Sequence, residues 1–323
     1  KKAIGIQPSY AEAFNNIGNS YKELSDFDNA VISYRKAIDL APTYTDAFCN
    51  LGICWSLQEK YEDAEAAYKK ALEIDPENIR HSLLVSNVLI KQKSYKEGFG
   101  IANQIAIENP YNYEALYIAG LASKGLNQLD LAEKFFRKSL NIYADYKDAL
   151  NSYGHLLIEK KAFKHAIEIF KKLINIDNKS IEAYNNLGKA LFDSGRINEA
   201  ENIFKRALRL DALNLSSIRN LFDVYMVKRD FTLAEKLVKL VLDREPDSPE
   251  ALNALGSIYE KRGEFSLAEN VIKKALKIDK NLVQAKINLA TIYQHYNKNK
   301  DAVKIYVDLE KKGNNDPNIL YNS

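Results

Sequence analysis

Cysteine is almost missing from this chain: Cys49 and Cys54 are the only two among 323 residues. They lie five apart in one predicted helix, project in different directions and cannot bridge, so there is no disulfide framework. That fits a reducing compartment, and the expected location is cytoplasmic. No charge of one sign prevails. Lys+Arg is 46 and Asp+Glu is 43, a net charge of +3. This is too near neutral for nucleic acid or an anionic membrane to be the main partner. No uninterrupted apolar run approaches the roughly 18–20 residues of a membrane span, and no signal peptide is visible at the start. With 46% apolar and 28% charged residues, the composition is that of an ordered globular chain rather than a disordered one.

The signatures of catalysis are missing too. His81, His155, His165 and His295 have no metal-ligand spacing, and there is no HExxH, Gly-rich phosphate loop, GxSxG or CxxC. The expectation is a protein that is not an enzyme, with no catalytic residue, no cofactor and no metal. His155 and His295 read as polar lining, and Cys49 and Cys54 as small packing residues.

What is present is a strict period. Pro8, Pro42, Pro76 and Pro110 are each 34 apart, and Pro246 falls four further periods on. Gly18, Gly52, Gly120, Gly154, Gly188 and Gly256 keep the same grid. So do Ala30, Ala64, Ala132, Ala166, Ala200, Ala234, Ala268 and Ala302, with Gly98 the one interruption. A period held this long without insertion marks a repeat array rather than a set of compact domains. The units are counted from Ala11, Thr45, Ile79, Tyr113, Lys147, Ile181, Leu215, Pro249 and Val283. Nine of them fill 11–316. Apolar residues recur at helical spacing over roughly positions 1–14 and 15–28, followed by Pro or polar residues. Each unit is therefore a helix–turn–helix hairpin. Small residues at positions 8, 20 and 27 permit close backbone approach, and large ones at 17 and 24 fill the space beside them.

These positions resemble the tetratricopeptide repeat (TPR): large at 4, Leu-like at 7, Gly at 8, aromatic at 11, Ala at 20, aromatic at 24, Ala at 27 and Pro at 32. The second unit shows Phe48, Leu51, Gly52, Trp55, Ala64, Tyr68, Ala71 and Pro76. The resemblance implies an all-α fold, a right-handed α-solenoid of antiparallel helix pairs, and a role in binding other proteins. The strict period and near-neutral charge argue against the RNA-reading pentatricopeptide class. Residues 1–10 read as the end of a preceding repeat and 317–323 as the start of a further one. Without polar capping helices, the chain reads as an excised stretch whose uncapped ends could also self-associate.

On a helical wheel, positions 3, 4, 7, 8, 10 and 11 of the first helix form one continuous small-or-apolar arc, the expected core. Positions 2, 5, 6, 9, 12 and 13 form the opposite, variable arc. The resemblance implies that this second arc lines the concave groove. Position 6 is Asn in five units: Asn16, Asn50, Asn186, Asn220 and Asn288. Neighbouring positions add Asn19, Asn151, Asn185 and Asn253, as well as Asn15 and Asn87. Asn is a poor mid-helix residue, costing about 0.5–0.7 kcal/mol against Ala. Its amide offers a donor and an acceptor to a peptide main chain. The pattern is similar to the asparagine ladder in the repeat domain of O-linked N-acetylglucosamine transferases, although Leu84, Ile118, Ser152 and Ala254 interrupt it. The alternative is polar filler on a solvated face.

The middle of the arc is apolar instead, with Leu84, Ile90, Tyr117, Ile118 and Leu121, and Leu83 beside them. Two readings stay open there: a pocket for a partner's anchor side chain, or local repacking in the third unit, which departs from the pattern at His81, Ser86, Leu89, Gly98 and Ala102. Carboxylates at position 2 favour the helix dipole and need no acid–base role. Chaperone-tail binding of the kind some relatives perform needs Lys at position 5, which no unit has. Two function classes remain: a scaffold that binds an extended segment of another protein, or the substrate-recognition part of a larger enzyme such as a glycosyltransferase.

Overall fold

A computed structural model describes residues 10–311. Apart from Tyr10, the expected fragments of flanking repeats lie outside the described residues. The described chain is helical throughout and divides into two compact units, Lys1–Ile176 and Asp177–Ser323.

The first unit contains α1 (Ala11–Glu23), α2 (Phe27–Leu40), α3 (Thr45–Leu57), α4 (Tyr61–Ile74), α5 (Ile79–Lys91), α6 (Tyr95–Glu108), α7 (Tyr113–Gly125), α8 (Leu129–Ile142), α9 (Lys147–Glu159) and α10 (Phe163–Ile176). Each helix packs on the next, and each odd-numbered helix also touches the following odd-numbered one. The second unit contains α11 (Ile181–Asp193), α12 (Ile197–Leu210), α13 (Leu215–Val227), α14 (Phe231–Leu242), α15 (Pro249–Lys261), α16 (Phe265–Ile278), α17 (Val283–His295) and α18 (Asn299–Lys311). The same neighbour pattern holds, with α11 on α13 and α15 on α17. The fold class is all-α, of the helix-pair solenoid type.

The second helix of each pair begins at position 17 rather than the expected 15. Position 15 is left-handed in all nine described pairs: Ser25, Glu59, Lys93, Asn127, Lys161, Gly195, Arg229, Gly263 and Asn297, with φ between 57° and 80°. The N–H of position 16 reaches back to the carbonyl of position 11, as in Asp26 to Tyr21 (2.9 Å) and Arg196 to Leu191 (2.9 Å). The N–H of position 15 bonds position 12, as in Ser25 to Lys22 (2.9 Å). This is a Schellman closure, which satisfies the orphan carbonyls at the end of the first helix. Seven of the nine residues are not glycine, so periodicity alone gave no sign of the turn.

Inside each pair, glycine at position 8 faces the large residue at position 24 of the partner helix. A methyl group at Gly18, Gly52, Gly120, Gly154 or Gly188 would sit 2.3–2.6 Å from the ring of Tyr34, Tyr68, Phe136, Phe170 or Phe204. Those rings are 3% exposed or less. The alanines at position 20 are equally enclosed, at 0–1%. Burial of each such aromatic contributes roughly 1.5–3 kcal/mol, and small-against-large pairing keeps the seam at interior density.

Successive pairs are also stapled by charge. Glu at position 21 meets Lys, Arg or Gln at position 14 of the next pair: Glu65 with Gln92 (2.9 Å), Glu133 with Lys160 (2.5 Å), Glu201 with Lys228 (2.6 Å) and Glu235 with Arg262 (2.6 Å). Burial opposes the charge on Glu201, but the Lys205 and Lys228 ammoniums outweigh it and its pKa lies below the ordinary carboxylate value.

Candidate peptide-binding face

In each of the two units, the faces of the first helices left outside this packing form a stripe. Position 2 is exposed in all nine pairs (Glu12, Asp46, Arg80, Glu114, Asp148, Glu182, Ser216, Glu250 and Gln284), and so is position 13. Positions 6 and 9 lie between them and are exposed or half-buried, apart from Ile118. The spacing of four, three and four residues keeps these side chains on one line along each helix. The open arc is therefore narrower than the wheel implies. Position 5 is mostly covered: Asn15 is 5% exposed, Cys49 1%, Leu83 3%, Asn253 8% and Ile287 5%. It sits on the flank against which the neighbouring first helix packs.

That flank also consumes part of the asparagine set. In the first unit Asn16 is exposed, whereas Asn50 Nδ2 donates to Asn15 Oδ1 (2.9 Å). The Tyr34 hydroxyl donates to Asn19 Oδ1 (2.8 Å), and Asn151 is half-buried with a partner of its own. In the second unit Asn288 Nδ2 donates to Asn253 Oδ1 and to Ser257 Oγ, both at 2.9 Å. Asn185 Oδ1 accepts from Ser217 Oγ (2.9 Å). Asn186 and Asn220 are half-buried, and Asn186 is partnered. Tyr117 and Ser152 repeat the Asn15–Asn50 link with hydroxyls 3.4 Å apart. A position 5 group bonding position 6 of the next pair thus ties adjacent first helices together. Buried amides need such partners, which is one physical reason for Asn in mid-helix.

The apolar set is partly enclosed as well. Ile118 is 3% exposed and does not belong to the open face. Leu84, Ile90, Tyr117 and Leu121 are half-buried and pack against the core clusters of the second to fifth pairs. Tyr117 lies 5.1 Å from the ring of Tyr146, which itself neighbours Tyr113 (5.0 Å) and Tyr143 (6.0 Å, stacked). The wheel missed these three tyrosines because they occupy positions 1, 31 and 34, at the start of a first helix and in the loop that precedes one.

Cys49 and Cys54 are buried, and burial pushes the Cys49 thiol up to about 11 and the Cys54 thiol above its ordinary value, which disfavours the thiolate at both. His155 and His295 reach the first-helix surface and lie against Phe170 (5.7 Å) and Phe265 (4.4 Å). Among the described residues no group of three or more His, Cys, Asp and Glu side chains can hold a metal, and no helix is long and apolar enough to cross a membrane.

Family models described as tetratricopeptide repeat match residues 11–44 and 45–78, 113–146 and 249–282, and 157–221 and 191–258. The chain belongs to the tetratricopeptide repeat family. No curated protein matches it. Among solved structures, this repeat array is similar to the crystallised APC/C hetero-tetramer Cut9–Hcn1. The identity is 17%, with 97% of this chain and 75% of that one covered and a TM-score of 0.56, which shows the fold. It is also similar to YrrB, described as a TPR protein with an unusual peptide-binding site (24% identity, 56% and 94% covered, TM-score 0.41). A third is MamA 41-end from Desulfovibrio magneticus RS-1 (20%, 53% and 96%, TM-score 0.44).

Proposed function

We propose that this TPR array is a protein-interaction scaffold whose first-helix stripe receives an extended segment of another protein. One observation carries the reading. Each described pair packs one side of its first helix and leaves a stripe along the other, positions 2, 6, 9 and 13 apart from the buried Ile118, with side chains that vary from pair to pair. Constant packing faces beside a variable open one are what recognition on a repeat framework requires. Asparagine contributes through its remaining groups. Asn16 keeps its whole amide accessible and Asn50 keeps one N–H. Asn288 has committed both amide hydrogens and accepts from Gln284 Nε2 (3.3 Å). A continuous main-chain ladder of the glycosyltransferase kind would need the amides free, so a scaffold is the better reading than a substrate-feeding region.

The test is selection of random twelve-residue peptides on the purified protein, followed by measurement of their affinity for a variant carrying Asn16→Tyr, Asn87→Tyr and Asn220→Tyr together. These bulky neutral groups obstruct the stripe without adding charge. Selected peptides are expected to lose at least about tenfold in affinity, roughly 1.4 kcal/mol. Retention of wild-type affinity by a variant with unchanged helical content sinks the proposal.

A further inference from the structure

Four tyrosines gather where the fourth and fifth pairs meet. Tyr113 and Tyr117 stand one turn apart on α7, and Tyr143 and Tyr146 come from the loop before α9. Their rings form a connected set, with centroids 5.1 Å apart for Tyr113–Tyr143, 5.0 Å for Tyr113–Tyr146, 5.1 Å for Tyr117–Tyr146 and 6.0 Å for the stacked Tyr143–Tyr146 pair. Tyr143 and Tyr113 remain 46% and 36% exposed. Both parts of this surface are held in place. Ser139 Oγ donates to the Tyr113 carbonyl (2.7 Å), and Lys172 Nζ donates to the Ala144 carbonyl (2.7 Å) and pairs with Asp145 (3.3 Å). A fixed aromatic surface loses little entropy on binding.

Two exposed carboxylates flank it. Glu114 and Asp148 occupy position 2 of α7 and α9, and both bear electrostatically on the Tyr146 hydroxyl, while burial of that phenol holds its proton. Elsewhere in the chain the protein covers its own rings with cations. Arg35 lies 5.5 Å from the centre of Trp55, Lys205 5.9 Å from Tyr225 and Lys298 5.4 Å from Tyr296. The rings of Tyr113, Tyr143 and Tyr146 neighbour other tyrosines. Of the bordering lysines, Lys172 is committed to Asp145, and Lys147 also has a partner. Electron-rich ring faces beside two carboxylates are complementary to a cation, and to the planar guanidinium most of all. It stacks on a ring while its fork bonds a carboxylate.

We infer that the Tyr113–Tyr143–Tyr146 surface with Glu114 and Asp148 is a seat for an arginine side chain of an extended segment from another protein. This deepens the proposed function and rests on it.

The probe is a fluorescein-labelled ten-residue peptide of alternating Ala and Arg, compared with the same peptide carrying citrulline for every Arg and with an alternating Pro–Ala peptide, read by fluorescence anisotropy on the whole chain. The arginine peptide is expected to bind at least about tenfold tighter than either control. Glu114→Gln with Asp148→Asn weakens it by about tenfold or more, and Tyr143→Ala by about three- to fivefold, while Tyr143→Phe retains it because the ring and not the hydroxyl is used. Controls that bind as tightly as the arginine peptide overturn the inference, as does no binding of the arginine peptide at all. An arginine peptide indifferent to these variants but lost on the Asn16→Tyr, Asn87→Tyr, Asn220→Tyr protein also overturns this seat, and leaves the general scaffold reading standing. One indifferent to all of them counts against both.

Discussion

The third helix pair and the sixth solve the same packing problem with opposite residues. In the sixth, Gly188 on α11 makes room for Phe204 on α12, whose side chain is 1% exposed. In the third, α5 carries Ser86 at the glycine position and α6 carries Ala102 at the aromatic one. The close approach has moved to Gly98, where an added methyl group would meet Ile90 Cγ1 at 2.9 Å and the Ser86 carbonyl at 3.0 Å. Ser86 Oγ donates to the Gly98 carbonyl (2.7 Å) across this seam. What both pairs keep is one close approach of a small residue to a large one, Gly188 to Phe204 or Gly98 to Ile90, while the helix that carries the small residue differs. In the seventh pair the same two positions hold the half-buried Phe222 and the buried Val238.

The hardest way to break this comparison is to empty the sixth seam. Phe204→Ala should cost about 3–5 kcal/mol, whereas Ala102→Gly in the third should cost far less. Since arrays of repeats need not unfold in two states, the readouts are the melting temperature and amide exchange of α11 and α12. Equal losses at both sites would show that the two seams are not alternatives. Overfilling comes next. Gly188→Ala places Cβ 2.3 Å from Phe204 Cε1 and should cost about 1–3 kcal/mol, with part of the loss recovered when Phe204→Leu is added. A strictly additive double variant contradicts volume compensation.

The asparagines allow the same contrast between buried and open positions. Asn50→Ala strands the Asn15 amide, 5% exposed, and should cost about 1–3 kcal/mol. Asn16→Ala, on the open stripe, should change stability by less than about 0.5 kcal/mol. Matching urea midpoints for the two would refute the assignment of Asn50 to helix pairing. Smaller again is the turn. Lys161 holds φ at 57° where two other pairs place glycine, so Lys161→Gly should stabilise by about 0.5–1 kcal/mol. A lower melting temperature would mean the lysine side chain contributes more than the strain it imposes.

The least effect concerns acid. Glu201 and Glu235 are depressed below ordinary carboxylate values, Glu201 by Lys205 and Lys228 against its burial, Glu235 by Lys239 and Arg262. Depressed groups contribute stability that is present above about pH 4.3, the unfolded carboxylate value, and is lost as pH falls through the folded value. Glu201→Gln with Glu235→Gln should therefore flatten the decline in melting temperature between pH 5 and pH 3. An unchanged slope would mean that the staples carry no acid dependence.

Helix number, pairing and the small-against-large seam were legible because each depends on one position recurring every 34 residues. The turn was not, because Lys, Arg and Glu at position 15 carry no mark of a left-handed residue. The candidate face was legible in outline only. Positions 2, 6, 9 and 13 follow from the helical period, but position 5 falls on the boundary between core and surface, and a wheel cannot say how far the next helix reaches. The tyrosine surface was illegible for a related reason. It joins the start of one helix to the loop before another, and no single-helix period links positions 1, 31 and 34.

The amino-acid order by itself determined that this protein is an array of helix hairpins with one repeated packing face, because helical periodicity and residue size are local properties summed along the chain. Only the tertiary structure decided which asparagines tie helix to helix, that Ile118 is enclosed, and that four tyrosines meet beside two carboxylates. Those outcomes depend on how closely neighbouring hairpins approach, a distance set jointly by side chains that lie some thirty residues apart in sequence.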